Sequence, residues 1–132
     1  MEGGRYEAAE QLYESALRSV ELLLDAASDD QHSNDRHTRL AVIRCRIQSA
    51  QGDLLRLQGH YTDAEALLRS VLSDSERLTG MDSVETAQAC VNLGVVCKYL
   101  GRLDESRQLY LRALPVLTRQ YGEASAELVP LY

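Results

Sequence analysis

Thiols, imidazoles and clustered charges are the side chains of this sequence that could do chemistry. Cys45, Cys90 and Cys97 form no Cys-x-x-Cys pair and are odd in number. That usage suits a reducing, cytoplasmic setting and argues against a disulfide scaffold. His32 and His37 share a polar stretch, with Cys45 following. A metal site needs about four ligands at fixed geometry, and this set offers three at most, so no metal is expected. Cys90 and Cys97 lie seven apart on one helix face and read as small buried hydrophobes. Asp29-Asp30 belongs to a polar stretch, and Asp104-Glu105 opens a helix, where the dipole favours carboxylates without any catalytic role. There is no phosphate-cradling glycine loop, no Gly-x-Ser-x-Gly elbow and no His-Glu-x-x-His pair. No catalytic residue and no cofactor is assigned, and the chain reads as non-enzymatic.

The arginines are the richer feature. Residues 36–60 carry Arg36, Arg39, Arg44, Arg46 and Arg56 against Asp53, whereas residues 1–35 carry nine acids against Arg5 and Arg18. Arginine pairs bidentately with carboxylates, so such a set could meet an acidic peptide. It could equally neutralise the acidic helix beside it, in surface pairs of about 0–1 kcal/mol each. The whole chain has a net charge of −6, which speaks against a nucleic-acid partner, since phosphate affinity rests on clustered cations. No apolar run approaches the ~20 residues of a membrane span, so no membrane partner is expected, and the first residues have no secretory pattern.

The elements that position these residues follow from an internal repeat. Gly4-Arg-Tyr-Glu-Ala-Ala-Glu-Gln-Leu-Tyr13 returns as Gly59-His-Tyr-Thr-Asp-Ala-Glu-Ala-Leu-Leu68 and as Gly101-Arg-Leu-Asp-Glu-Ser-Arg-Gln-Leu-Tyr110. Each copy has a small residue at the fifth position after glycine (Ala9, Ala64, Ser106) and Leu at the eighth (Leu12, Leu67, Leu109). Ala16-Leu17, Val71-Leu72 and Ala113-Leu114 extend the pattern. These offsets of three and four mark one face of a helix. Gly52 and Gly94 each precede a phrase glycine by seven residues. Glycine inside a helix costs about 0.8–1 kcal/mol relative to alanine, so its recurrence points to a backbone crossing. Gly80 and Gly122, 42 residues apart like Gly59 and Gly101, read as C-cap glycines.

The expected map is helix 5–26, loop 27–37, and helices 38–58, 60–78, 83–99 and 102–120, with another beginning near 124. Pro115 should kink the helix that contains it. With 132 residues this is one all-α domain, a right-handed superhelical solenoid of antiparallel helix pairs. It divides into a partial repeat 1–26, the polar loop, repeats 38–79 and 80–121, and a partial repeat 122–132.

The glycine-anchored phrase, with Ala at five, an aromatic at nine and Ala at twelve, resembles a tetratricopeptide repeat. Its 42-residue spacing is similar to the kinesin-light-chain type. Gly80-Met-Asp-Ser-Val-Glu-Thr-Ala87 and Cys90-Val-Asn-Leu-Gly94 sit in register with that subclass, with Ser83-Val84 in place of its His-Pro and Val91 in place of its first Asn. The resemblance implies a protein–protein interaction module that takes a peptide or partner domain in its concave groove. It also implies that Gln88, Asn92, Val95 and Tyr99 face that groove, as do Arg46, Ser49, Asp53 and Arg56 on the preceding first helix. Against the second set stands an apolar stripe, Leu40, Ile43, Ile47, Ala50, Leu54 and Leu57, offset by one residue from the register that Gly52 implies.

Helix 5–26 matches a second helix without its first, and residues 123–132 match the start of a first helix. An alternative role follows: a self-associating fragment of a larger scaffold or regulatory protein, forming a homodimer through exposed end helices.

Overall fold

The glycine that opens a copy of the repeated phrase closes the helix before it. Gly59 and Gly101 hold φ of +84° and +81°, a conformation that L side chains rarely adopt. The His60 amide reaches back to the Leu55 carbonyl at 2.8 Å and the Gly59 amide to Arg56 at 3.0 Å. The same two bonds recur 42 residues on, from Arg102 to Cys97 at 2.8 Å and from Gly101 to Lys98 at 3.1 Å. This paired closure satisfies carbonyls that a helix end leaves open, and it reverses the chain within a few residues.

The computed structural model describes residues 2–27 and 33–121. All of its elements are helices: α1 (Glu2–Ala27), α2 (Ser33–Leu57), α3 (Tyr61–Thr79), α4 (Val84–Tyr99) and α5 (Leu103–Tyr121). Consecutive helices pack on each other, and α2 also touches α4. The result is the stacked arrangement of an all-α helical-repeat solenoid, with α2/α3 and α4/α5 as its pairs. The expected helix near 124, and Gly122, lie outside the described residues.

Two expectations change. The polar stretch gives way to helix at Ser33 rather than 38, because Ser33, Asn34 and Asp35 suit a helix start and no glycine or proline blocks it. Gly80 does take a positive φ, +94°, but with ψ of 166° it is extended rather than left-handed helical. There the joint between repeats is made by side chains. The Ser83 hydroxyl caps α4 by accepting from the Thr86 amide at 3.1 Å, and the Thr86 hydroxyl donates to the Gly80 carbonyl at 2.6 Å. Pro115 sits on the exposed side of α5, which continues to Tyr121; there water can reach the carbonyl that lost its donor.

The register of α2 is decided by Gly52. Ala41, Cys45 and Gly52 are buried, while Ile43 and Leu57 of the apolar stripe are exposed. A Cβ on Gly52 would lie 2.5 Å from Leu68 Cδ2, and one on Gly94 would lie 2.6 Å from Tyr110 Cε1. Both glycines therefore admit a large side chain of the following helix directly onto the backbone. At the second crossing the buried Ser106 hydroxyl also donates to the Gly94 carbonyl at 2.8 Å. Cys90 and Cys97 belong to the same core, as their spacing predicts.

Gly94→Ala should lower the thermal midpoint by several degrees, at about 1–3 kcal/mol of overpacking against about 1 kcal/mol gained in helix propensity. The rigid Tyr110 ring cannot yield by rotamer change. Adding Tyr110→Leu, which installs the side-chain type found against Gly52, should restore part of the loss. Calorimetry on the two single variants and the double variant measures that coupling.

Candidate functional site

The parallel first helices α2 and α4 lay their polar faces side by side, and an ion pair joins them near one end. Arg46 on α2 donates to Glu85 on α4 at 2.8 Å. This Arg46 hydrogen bond holds the Glu85 carboxyl below its usual range, against partial burial that acts upward. Beyond the pair opens a cleft of about 380 Å³ lined by Cys45, Arg46, Ser49, Ser75, Val84, Glu85, Gln88 and Tyr121. Three of the residues expected in the groove, Arg46, Ser49 and Gln88, thus meet in one hollow. One turn along α4, Gln88 Nε2 donates to Asn92 Oδ1 at 3.1 Å. The Asn92 amide nitrogen stays available as a donor, and a second lone pair remains on its oxygen.

At the far end Tyr99 stacks on Tyr61, the first residue of α3, with ring centroids 5.1 Å apart and planes 5° from parallel. Tyr99 is 56% exposed, so one ring face is held by protein and the other is open. Asp53 and Arg56 lie between these features, with Arg56 Nε 3.9 Å from Asp53 Oδ1. Burial pushes the Asp53 carboxyl up, opposed only in part by Arg56. The buried Arg56 Nε makes no hydrogen bond. Val95 is half-buried and packs against the core, so it supports the surface more than it contacts solvent.

The five arginines do not form one strip. At about 100° per residue, Arg36, Arg39 and Arg46 share one side of α2, whereas Arg44 and Arg56 point to other sides. Arg36 and Arg39 line a separate hollow with Asp35 and Leu40. Arg46 is already paired, which lowers its value as a free cation for an acidic ligand.

Sequence reasoning missed Glu85, Tyr61 and Tyr121. Tyr61 could have been found, since an aromatic or Leu recurs two residues after each phrase glycine (Tyr6, Tyr61, Leu103). It also missed a cluster on the other side of the solenoid, where Glu65, Cys97 and Glu105 bring ligand atoms within 4.8 Å of one another. Positions 65, 97 and 105 share no sequence motif. Arg69 bonds both carboxylates at 2.8 Å and Arg102 also bonds Glu65. A cation there would have to displace two guanidinium groups, so the cluster is an ionic joint between α3 and α5. Arg112 to Glu76 at 2.6 Å extends it. The Cys97 thiol donates to Glu105 at 3.5 Å; burial first, then Glu105, pushes its pKa up to about 11.

The model of the tetratricopeptide repeat family matches residues 43–126. No match is found among curated proteins.

Two measurements check the electrostatics of these sites. Glu85 has a folded pKa below its unfolded value, so its contribution is full at neutral pH and is lost as pH falls through the folded value. The difference in thermal midpoint between the natural chain and Glu85→Gln should therefore shrink to nothing in acid. The three cysteines are free and buried, and for each of them burial raises the pKa. At pH 8 a thiol reagent should find none of them until denaturant is added, when all three should react.

Proposed function

Since the chain belongs to the tetratricopeptide repeat family, whose repeats mediate protein–protein contacts, we propose that the face shared by α2 and α4 holds a peptide segment of a protein partner. The observation that carries this reading is the half-open Tyr61–Tyr99 stack in line with Asn92, Gln88 and the cleft. An aromatic platform offers apolar contact at low conformational cost. Asn92 can give and take hydrogen bonds with a peptide unit, so the surface combines a side-chain anchor with backbone recognition.

The cleft beyond Arg46 receives a second ligand side chain. An acidic residue there competes with Glu85 for the Arg46 guanidinium, so a carboxylate is recognised by exchange of ion-pair partners. Such an exchange favours selectivity over raw affinity. We read the 42-residue spacing as the kinesin-light-chain type of the repeat, and the three buried free thiols as support for a reducing, cytoplasmic setting. No helix among the described residues is long and apolar enough to cross a membrane.

The experiment is a peptide-library selection on the natural chain, followed by titration of the best binder. Asn92→Ala and Tyr99→Ala should each weaken it about tenfold or more, the loss of one good hydrogen-bonded or aromatic contact. Arg46→Glu should weaken acidic binders selectively. Binding indifferent to all three would move the site elsewhere.

A further inference from the structure

The ionic joint between α3 and α5 has a counterpart one repeat earlier, between α1 and α3, and there the cations are missing. Counted from the phrase glycines, Glu10 stands where Glu65 does and Asp63 where Glu105 does, so both acids are kept. The two arginines are not. Glu14 takes the place of Arg69, and His60 takes that of Arg102. In the later joint those guanidinium groups tie the carboxylates of α3 and α5 together. The ion pairs among the described residues include none of Glu10, Glu14 and Asp63.

Where the cations are missing the protein is hollow. Helices α1 and α3 both pack on α2 but make no close backbone contact with each other. Between them opens a space of about 230 Å³, with Leu54, Leu55 and Leu67 as its apolar lining. Leu55 is the counterpart of Cys97 in the later joint. Glu10, Glu14, Gln51 and Gln58 give the same space its acceptors. Gln58 donates to one oxygen of Glu10, which leaves the other oxygen and the Glu14 carboxylate open. One turn before Gln51, the buried Gln48 Oε1 accepts no hydrogen bond. Arg18 follows Glu14 by four residues and Arg44 precedes Gln51 by seven, yet neither lines the hollow. At about 100° per residue, Gln51 and Gln58 lie roughly half a turn around α2 from Ser49 and Asp53. The hollow therefore opens away from the face shared with α4.

We propose that this hollow receives an arginine side chain from a basic segment of a partner protein, which completes the joint from outside. Charge complementarity selects that occupant, and the chain itself shows the bonding one repeat on, where guanidinium groups bridge acids at the equivalent positions. The methylene stem of the arginine lies on the leucines. Its planar fork of five donors meets Glu10, Glu14 and the glutamine oxygens, and charge-assisted bonds of that kind are the strong ones. A lysine ammonium, with three donors and a tighter hydration shell, fits the same acceptors less well.

The test is an amide NMR titration of the isotope-labelled natural chain with capped pentapeptides. The probes are Ala-Ala-Arg-Ala-Ala and the same peptide with lysine or the uncharged isostere citrulline at its centre. The arginine peptide should give saturable shifts at Gln51, Leu55 and Gln58, the lysine peptide weaker ones and the citrulline peptide none. Glu10→Gln with Asp63→Asn should weaken arginine binding about tenfold or more. Helical circular dichroism should stay unchanged, because both side chains are exposed. Glu14→Arg restores the cation found at Arg69, so it should abolish binding and raise the thermal midpoint. The proposal is overturned by the absence of saturable shifts, by an equal response to lysine or citrulline, or by binding that survives Glu14→Arg. Shifts centred on Gln88 and Asn92 would overturn it by moving the cation to the concave face. None of these substitutions touches the Arg46 cleft or Tyr99, so the peptide reading is tested separately.

Discussion

The solenoid depends on how closely one helix backbone can approach the side chains of the next. Gly52 and Gly94 remove the Cβ at the two crossings, and Leu68 and Tyr110 fill the space with their own bulk. Interiors packed to crystal-like density leave no slack for a methyl group at such points. Each crossing sets the rotation of a first helix about its axis, and that rotation decides which residues remain for the concave face. The glycine costs helix propensity locally and returns it as packing, a trade worthwhile only when the partner side chain is buried completely. Tyr110 is buried in that way, although its hydroxyl makes no hydrogen bond. Desolvation of that oxygen is part of what the crossing costs.

The two long sides of the solenoid use charge differently. Between α3 and α5, Glu65, Arg69, Arg102 and Glu105 share hydrogen bonds in a network that tolerates partial exposure. Single exposed pairs contribute little, and networks of them mainly fix the alignment of neighbouring helices. On the concave side, among the described residues, Arg46 joins the two repeats through Glu85, and Asp53 and Arg56 lie beside neutral amides, a hydroxyl and stacked rings.

The resemblance between repeats is closer in sequence than in environment. Leu12, Leu67 and Leu109 are the same residue at the same phase, yet they range from exposed to buried along the chain. A repeat buries its face only through its neighbours, so equal sequences at unequal positions in the stack carry unequal burial. The apolar stripe of α2 has the same origin. Leu40, Ile47 and Leu54 turn towards α1, Ala41, Cys45 and Gly52 towards α3, and Ile43 and Leu57 towards neither. A helix packed on two sides shows two overlapping apolar patterns, and periodicity alone cannot say which one faces the core.

The sequence by itself determined the helical class, the five helices and most of their bounds, the glycine turns at 59 and 101, the crossings at 52 and 94 and the buried thiols. All of these rest on contacts within a helix or on a phrase repeated at fixed spacing, so local chemistry and periodicity suffice. That Arg46, Ser49 and Gln88 share one face was legible, and they line one cleft, because a repeat places equivalent positions on equivalent faces. Only the tertiary structure decided that Arg46 is taken by Glu85, that Tyr99 rests on Tyr61, that Val95 supports the core, and that Glu65, Cys97 and Glu105 converge. It alone decided how far α1 is covered. Those outcomes join side chains 32 to 40 positions apart, or turn on which neighbour is present, and no local rule carries information across that distance.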